Sequence, residues 1–335
     1  MRFLIPLVGA AVLAGIPAAP ARPQPAPRDL VSSWKDTPTT RAITAFVNRV
    51  TTPGTPDFVP PAERVAVFDN DGTLWCEQPM YTQLAFALDR VKALAPMHPE
   101  WRDKQPFKAV LEGDYKALAA GGSKGLVEIV VATHTGMTVD EFDATVKDWL
   151  KTARHPKYQR PYTACVYQPM LDLLAYLRAN GFKTYIVTGG TADFVRAFAG
   201  PVYGIPPEQV IGTTFKTKYE ERDGKPALVI QPELDLNDDG PGKPVSIGKY
   251  IGRRPTIAVG NSDGDFQMLE WATTAPGPRL GLLVHHTDAA REYAYDRDSH
   301  VGRLVRGLDE APRRGWLLAS VKDDWKTVFP AARPE

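Results

Sequence analysis

Cysteine is scarce in this sequence, with two cysteines among 335 residues. Two are too few for a small disulfide-stapled scaffold or for a zinc site made of four cysteines. A charge excess is lacking as well, because 40 lysines and arginines face 39 aspartates and glutamates. Nucleic-acid binding depends on clustered, uncompensated basic residues, so this balance argues against a nucleic-acid partner. What remains is a globular enzyme or binding protein, long enough to bury a sizeable core.

Long apolar runs are confined to the N-terminus. Residues 1–21 combine a positive charge at Arg2, an apolar run from Phe3 to Ile16 and the small residues Ala19-Pro20-Ala21, the layout of a secretory signal peptide. The run is shorter than the roughly 20 residues that a spanning helix needs. We predict cleavage and export, to the periplasm or outside the cell, with a retained anchor as the alternative. No later run reaches that length without a charge, so we expect no membrane segment in the mature chain; its oligomeric state is not predicted.

Four short apolar runs, rich in β-branched residues, each stop abruptly in polar residues. The runs are Val65–Phe68, Tyr185–Val187, Thr256–Val259 and Leu280–Val284. Such runs are typical of strands buried on both faces, and helical patterns lie between them. The sequence therefore predicts an α/β fold with a doubly wound parallel sheet, in which functional residues gather at the carboxyl ends of the strands.

A helical segment is predicted between the first and second of these strands, over Met80–Leu94, Phe107–Ala120, Gly125–Thr135 and Val139–Thr152. Its position suggests a lid over the strand ends. We divide the chain into a signal peptide (1–21), a flexible lead-in (22–37), an α/β core (38–75 and 165–335) and a smaller, all-helical cap domain (76–164). A hairpin is expected at 210–218 and 226–231, and a packing helix around Trp316 and Trp325.

The chemistry centres on Phe68-Asp69-Asn70-Asp71-Gly72-Thr73, which follows the first predicted strand. Two carboxylates two residues apart can face one crevice once the chain leaves the strand, and Gly72 permits that turn. Their mutual repulsion favours a hard cation such as Mg²⁺. The alternative is a solvated turn of a kind common at strand ends.

This motif resembles the first motif of the haloacid dehalogenase-like hydrolase superfamily, in its phosphatase branch. Three further motifs follow in the family's order: Thr188 before Gly189-Gly190, Lys243 in a Gly-Lys-Pro turn, and Gly260-Asn261-Ser262-Asp263-Gly264-Asp265. The resemblance covers roughly residues 60–75 and 165–290. It implies a Rossmann-like core, a Mg²⁺ cofactor and a small phosphorylated metabolite as substrate.

The resemblance implies catalytic roles for two aspartates. Asp69 would attack phosphorus and form an aspartyl-phosphate, which divides one difficult displacement into two easier ones. Asp71 would protonate the leaving alcohol and then activate water. Because an acid at this second position distinguishes the superfamily's phosphatases from its dehalogenases, Asp71 argues against carbon–halogen chemistry.

Phosphate binding is assigned by the resemblance to Thr188, Gly189 and Lys243. Thr188 and the backbone of the glycine turn would hydrogen-bond the transferring group, and Lys243 would neutralise the charge that develops on it. Lys249 is the alternative lysine, but Lys243 matches the family's third motif better because it precedes the predicted short helix.

The metal ligands implied by the resemblance are Asp69, Asp71, Asn261 and Asp265. The family usually has Asp where this chain has Asn261, so the site would hold one negative charge fewer. Asn261 is the expected direct ligand and Asp265 a ligand or its partner, with Asp263 as the alternative to Asn261.

Substrate specificity is predicted for residues that lead into the helical segment: Trp75, Glu77, Gln78 and Tyr81. In phosphoserine phosphatases, which this core resembles in its hairpin and Gly-Lys turn, a glutamate nine residues after the nucleophile meets the substrate's amine. That position is Gln78 here, so serine phosphate is not supported. A cationic alcohol held by Glu77 with Trp75 or Tyr81 is an alternative hypothesis.

Cys76 and Cys165 lie where the chain crosses between the predicted core and cap. A disulfide across these crossings and two unpaired thiols both remain open. For function, the sequence favours a Mg²⁺-dependent phosphomonoester hydrolase. A phospholigand-binding protein without turnover and a phosphotransferase are the alternatives.

Overall fold

The computed structural model describes residues 32–331. The predicted signal peptide (1–21) and residues 22–31 of the predicted lead-in lie outside this range. The described strands are β1 (Val65–Phe68), β2 (Lys183–Thr191), β3 (Val210–Arg222), β4 (Lys225–Leu236), β5 (Ile257–Gly260), β6 (Leu280–Thr287), β7 (Ala294–Tyr295) and β8 (Leu317–Ser320).

Helices lie before, between and after these strands. They are α1 (Pro38–Thr51), α2 (Thr82–Leu94), α3 (Phe107–Glu112), α4 (Tyr115–Ala120), α5 (Gly122–His134), α6 (Val139–Thr152), α7 (Gln168–Ala179), α8 (Ala192–Tyr203), α9 (Gly242–Tyr250), α10 (Phe266–Thr273), α11 (Arg306–Arg314) and α12 (Val321–Asp324). None of the helices within residues 32–331 combines the length and the apolar composition that a membrane crossing requires.

The strands form one sheet in the order β4-β3-β2-β1-β5-β6-β7, and β8 pairs with β6. Strands β3, β2, β1, β5, β6 and β8 pair in parallel, while β4 and β7 are antiparallel. All four residues of β1 are buried, as expected for a strand covered on both faces. The predicted α/β fold with a parallel sheet is confirmed. The strand order reverses between β1 and β5, so a crevice is expected at their carboxyl ends.

The segment between β1 and β2 contains helices α2 to α6 before α7, and none of the strands found within residues 32–331 interrupts it, as the sequence predicts. Part of it has a hydrophobic cluster of its own, which includes Trp101, Phe107 and Ile129. Helix α6 instead contributes Phe142 and Val146 to the main core. The segment therefore rests on the sheet layers through α6, and its treatment as a separate cap domain remains a prediction.

The structure differs from four of the sequence predictions. The single helix predicted over Phe107–Ala120 is two helices, because Gly113 adopts a left-handed φ of 70° and Asp114 caps the next helix through Ala117 N–H at 2.9 Å. The C-terminal helix predicted around Trp316 and Trp325 is wrong for residues 317–320, which form β8, and is confirmed only for the short helix α12. So short an apolar run does not distinguish the two states. Strand β2 continues through the glycines to Thr191 with a bulge. The predicted hairpin is confirmed as β3–β4 and is longer than expected.

Candidate active site

The Asp69 loop begins where β1 ends, in the crevice beside β5. Asp69 N–H still donates to Val259 O of β5 at 2.9 Å, and the chain then turns back, with Gly72 N–H donating to Trp75 O at 2.9 Å. Gly72 has a φ of 71°, the left-handed region that glycine adopts without strain. This tight turn places Asp69 and Asp71 close enough for their charges to interact.

Lys243 lies in the first turn of α9 and is almost fully buried. Its Nζ donates to Asp69 Oδ1 and Asp265 Oδ1, both at 2.6 Å, and to Val187 O at 2.9 Å. We call Asp69, Lys243 and Asp265 the lysine cluster. Lys249, the alternative lysine, is exposed on the same helix. The structure thus brings Lys243, and not Lys249, to Asp69.

Burial and neighbouring charges have opposing effects on the pKa values of the lysine cluster. Burial raises the pKa of Asp69 well above its usual range, and Asp265 adds to the rise while Lys243 counteracts it. Burial lowers the pKa of Lys243, but the two carboxylates raise it by more, so the net change is upward. The cluster therefore holds its lysine charged.

Asp265 and Asp263 are both engaged by protein groups. Asp265 Oδ2 accepts hydrogen bonds from the backbone N–H of Asn261 at 2.9 Å and of Ser262 at 3.1 Å, while its other oxygen meets Lys243. Asp263 accepts from the N–H of Gly307 at 2.9 Å and of Val305 at 3.0 Å. Asp265 thus ties Lys243 to the loop after β5, and Asp263 ties that loop to the start of α11.

Glu77 faces Asn261 across the site. Asn261 Nδ2 donates to Glu77 Oε1 at 2.7 Å, and Tyr295 Oη donates to the same oxygen at 2.8 Å. We call Glu77, Asn261 and Tyr295 the amide cluster. Burial raises the pKa of Glu77 well above its usual range, and the charges of Asp71 and Asp69 add to the rise. Glu77 therefore belongs to the same electrostatic site as the two aspartates of the loop.

Asp71 is half-buried and hydrogen-bonded, with Trp75 Nε1 donating to its Oδ1 at 2.8 Å. Burial raises the pKa of Asp71, and the Trp75 hydrogen bond opposes the rise. A raised pKa suits a carboxyl group that must both give and take a proton.

Thr188 is buried at the bulge of β2, and its Oγ1 accepts from Gly190 N–H at 3.1 Å. Gly189 is exposed there. A Cβ on Gly190 would lie 3.4 Å from Thr188 Oγ1 and 3.8 Å from Asp71 Oδ2, so this bulge borders both side chains. The structure therefore places Gly190 beside both Thr188 and Asp71, whereas a Cβ on Gly189 would lie nearest to Asp239, at 3.5 Å.

The other predicted specificity residues differ in their surroundings. Trp75 stacks on Phe198 with ring centroids 4.5 Å apart and is buried. Gln78 Nε2 donates to Ser299 Oγ and Val301 O, both at 3.0 Å. Tyr81 is 40% exposed and accepts a hydrogen bond from Gly302 N–H at 3.4 Å. Of these three, Tyr81 is the side chain most open to a ligand.

Both cysteines are buried free thiols. Their backbones are adjacent, since Cys76 N–H donates to Cys165 O at 3.0 Å. Burial raises the pKa of both thiols, which makes them poor nucleophiles. The structure thus has the unpaired alternative, with the two crossings side by side as the sequence suggests.

Behind the Asp69 loop lies a support that the sequence pattern does not predict. His286 in β6 contacts the carbonyl oxygen of Gly72 through Nε2 at 2.8 Å and the carboxylate of Glu292 through Nδ1 at 3.1 Å. Tyr295 of the amide cluster was missed as well. Their position in the sequence could have indicated them. His286 lies at the end of a parallel strand, and Glu292 and Tyr295 belong to the segment that follows this strand at the same edge of the sheet.

Whether Mg²⁺ fits depends on donors and charge. Within residues 32–331, no three His, Cys, Asp or Glu side chains converge closely enough to hold a metal by themselves. Mg²⁺ commonly takes only one or two protein carboxylates and completes its shell with waters and substrate phosphate. Three buried or half-buried carboxylates interact here with Lys243, namely Asp69, Asp71 and Asp265, and a fourth, Glu77, interacts with Asp69 and Asp71. This negative excess and the Asn261 amide oxygen fit a hard divalent cation.

A family model described as haloacid dehalogenase-like hydrolase matches residues 66–270. No curated protein matches the chain. Among solved structures, a conserved functionally unknown protein from Anaerococcus prevotii DSM 20548 is 18% identical, with a TM-score of 0.55 over 88% of this chain and 94% of that one. A protein with unknown function from Bordetella pertussis Tohama I is 18% identical, with a TM-score of 0.47 over 77% and 98%. A phosphoserine phosphohydrolase-like protein from Francisella tularensis is 17% identical, with a TM-score of 0.36 over 66% and 87%.

Proposed function

The chain belongs to the haloacid dehalogenase-like hydrolase family, and we propose that it is a Mg²⁺-dependent phosphatase that hydrolyses a small phosphorylated metabolite through an aspartyl-phosphate. The observation that carries the proposal is the arrangement around Asp69. Lys243 binds one of its oxygens at 2.6 Å, and Asp71 lies two residues further on in the same turn. This arrangement provides a nucleophile, a cation for the phosphoryl charge and a proton donor in one crevice.

In the first step, an oxygen of Asp69 attacks phosphorus and forms a new O–P bond, while the ester O–P bond breaks. Lys243 holds the Asp69 carboxylate in place and offers positive charge where negative charge develops on the phosphoryl oxygens. Thr188 and the backbone of Gly189 would hydrogen-bond that group, as the resemblance implies.

Asp71 supplies the proton that the leaving alcohol needs. In the second step the same carboxylate accepts a proton from water, and the oxygen of that water attacks phosphorus and releases Asp69. Burial raises the pKa of Asp71, so a proton is available to the leaving group closer to neutral pH than an ordinary aspartate would allow.

Asp69 and Asn261 would hold Mg²⁺, with Asp265 positioning the Asn261 backbone. The ion would neutralise phosphate charge and help to orient the substrate. The proposed location is outside the cytoplasm, in accord with the signal-peptide pattern in residues 1–21.

The test is turnover of a generic aryl phosphate with Mg²⁺ by the wild type and by Asp69→Asn. We expect Asp69→Asn to lose about 10⁴-fold in kcat, since removing a nucleophile costs this order of activity. Asp324→Asn is the matched control, because Asp324 is also a buried, hydrogen-bonded carboxylate but contacts Thr37 and Ser320 instead.

Two results would contradict the proposal. An Asp69→Asn variant as active as the control would exclude the aspartyl-phosphate. A wild type that binds phosphate without turnover would favour the ligand-binding alternative. A phosphorylated-metabolite screen with added acceptor alcohols then identifies the substrate and separates hydrolysis from phosphotransfer.

A further inference from the structure

Glu77 is a buried carboxylate whose two hydrogen-bond donors are both neutral. The residue is 2% exposed, and the donors are the Asn261 amide and the Tyr295 hydroxyl. A buried carboxylate without a cationic partner is costly, because neutral hydrogen bonds recover only part of its hydration energy. Such a group calls for a function.

The surrounding backbone is shaped around this carboxylate. A Cβ on Gly72 would overlap both Glu77 Oε1 and Asn261 Nδ2, and a Cβ on Gly302 would overlap Glu77 Oε1 as well. Both glycines have positive φ. The Asp69 loop and the segment after β7 therefore approach Glu77 more closely than any side chain would allow.

Asn261 is held at both ends of its amide. Its Nδ2 donates to Glu77, and its Oδ1 accepts from Thr73 Oγ1 at 3.0 Å. Exchanging the amide oxygen and nitrogen would set an oxygen against the Glu77 carboxylate, so the hydrogen bonds fix the orientation of the amide. Glu77 thus determines which way the proposed metal-binding oxygen of Asn261 points.

The difference in charge between Glu77 and Asn261 also supports a role for Glu77 in the cation site. Asn261 offers only a neutral amide, whereas the group that binds it at 2.7 Å, Glu77, is a carboxyl group. One carboxylate, bound to the amide, therefore brings to this edge of the site a negative charge that the amide lacks. We propose that Glu77 is a metal-positioning residue: it orients Asn261 and supplies that charge to the cation site. The inference rests on the proposed Mg²⁺-dependent function.

This role differs from direct recognition of a cationic substrate by Glu77. One oxygen of the carboxylate already accepts two hydrogen bonds, and the residue is buried behind Gly72 and Gly302. The two roles predict different measurements, because a metal-positioning residue affects metal binding when no substrate is present.

The experiment is a double-mutant cycle read by Mg²⁺ titration calorimetry without substrate, with Mn²⁺ binding by electron paramagnetic resonance as a second readout. The variants are Glu77→Gln, Asn261→Asp and the double variant. Glu77→Gln keeps the side-chain shape. In the double variant the new amide at position 77 can donate to the new carboxylate at position 261, so the pair again holds one carboxylate. Asp324→Asn is the control for loss of a buried carboxylate elsewhere.

We expect Glu77→Gln to weaken Mg²⁺ binding about tenfold in both backgrounds, as loss of an outer-shell partner of a metal ligand commonly does. The double variant should return to within about threefold of the wild type, and Asn261→Asp should bind more tightly than either. Even if Glu77→Gln alone fails to fold, the comparison of Asn261→Asp with the double variant still measures the contribution of Glu77.

Equal affinity of Asn261→Asp and the double variant would overturn the role of Glu77 and leave the phosphatase proposal standing. A wild type that binds neither Mg²⁺ nor Mn²⁺ would overturn the metal-dependent function and, with it, this inference. Loss of aryl phosphatase activity in Asp69→Asn is measured separately, so the two failures are distinguishable.

Discussion

The lysine cluster and the amide cluster lie on two sides of one site, and they balance charge in different ways. In the lysine cluster, one cation lies between two carboxylates at 2.6 Å from each. In the amide cluster, one carboxylate has only neutral donors at 2.7 and 2.8 Å. Breaking a buried ion pair leaves an uncompensated charge, whereas a carboxylate with neutral partners is already uncompensated.

This difference suggests different roles for the two clusters: internal contacts between elements for the lysine cluster, and preparation of a ligand site for the amide cluster. The lysine cluster connects α9, the Asp69 loop and the start of α10 by internal ion pairs. The amide cluster holds a carboxyl group whose hydrogen-bond donors are both neutral. Burial and the charges of Asp71 and Asp69 raise the pKa of this group, so a bound cation would favour its ionised form. We therefore expect the stability of the protein to fall far more when the lysine cluster loses its lysine than when the amide cluster loses its carboxyl group.

The largest effect is expected from Lys243→Met, compared with Glu77→Gln. Removing the lysine leaves Asp69 and Asp265 facing each other, both buried, and should cost about 3–5 kcal/mol of unfolding free energy. Glu77→Gln keeps hydrogen-bonding groups and removes a poorly compensated charge, so a change within about 1 kcal/mol of the wild type is expected. Urea unfolding with a chelator present measures both.

This comparison fails if Glu77→Gln destabilises the chelated protein as much as Lys243→Met does. Such a result would mean that the amide cluster is also stabilised by its charge in the absence of metal, and that its negative excess is compensated by groups outside the contacts described above.

A smaller effect is expected from Gly72→Ala, with Gly54→Ala as the matched control. Both glycines have left-handed φ values, 71° and 81°, but a Cβ on Gly54 has nothing within 4 Å. Gly54→Ala should therefore cost only the backbone penalty of about 1–2 kcal/mol. Gly72→Ala should cost about 1–3 kcal/mol more, because its Cβ overlaps Glu77 and Asn261.

Thermal or urea unfolding gives the two stabilities, and Mg²⁺ calorimetry gives the functional consequence. The extra cost at Gly72 should come with weaker metal binding, while Gly54→Ala should bind as the wild type does. Equal stabilities for the two variants would show that the side chains of the amide cluster can shift at little cost, and that the close packing around Glu77 contributes little to the stability of the protein.

The lysine cluster could be predicted from sequence because its residues follow buried strands or open a helix. Asp69 follows β1, and Asp265 lies in the loop after β5. Because β1 and β5 are neighbouring parallel strands, their carboxyl ends bring the two residues together. The sequence favours Lys243 over Lys249 because Lys243 precedes the predicted short helix; in the structure that helix, α9, begins one residue before Lys243. The competing Lys249 differs from it by burial, which the sequence does not display.

The amide cluster could not be predicted in the same way. Glu77 was noticed as a specificity residue, but its partner Tyr295 lies 218 positions away, in a two-residue strand that has no periodic signal. Strand pattern also failed at residues 317–320, because so short a run fits either a strand or a helix until it pairs with β6. Loop packing is decided by tertiary contacts that local patterns do not encode.

A third carboxylate tests how well the lysine cluster is balanced. Asp238 lies just before α9 and is fully buried; Ser246 Oγ donates to its Oδ1 at 2.5 Å, while Oδ2 has no hydrogen-bond partner among residues 32–331. Burial raises the pKa of Asp238 to about 7, although Ser246 and the charge of Lys243 oppose the rise. Lys243 is thus shared by more carboxylates than the two it contacts.

The smallest predicted effect is the pH dependence of Asp238→Asn. In the unfolded chain Asp238 loses its proton near pH 4, whereas in the folded protein it keeps the proton until about pH 7, so rising pH favours the unfolded state across that window. Asparagine removes this penalty, and the variant should gain about 2 kcal/mol relative to the wild type between pH 5 and pH 8.5. Ser246→Ala keeps the carboxylate and should retain the wild-type dependence of stability on pH.

Urea unfolding at pH 5 and pH 8.5 measures the stability of each variant relative to the wild type. If the relative stability of Asp238→Asn does not change with pH, Lys243 already neutralises Asp238 in addition to Asp69 and Asp265.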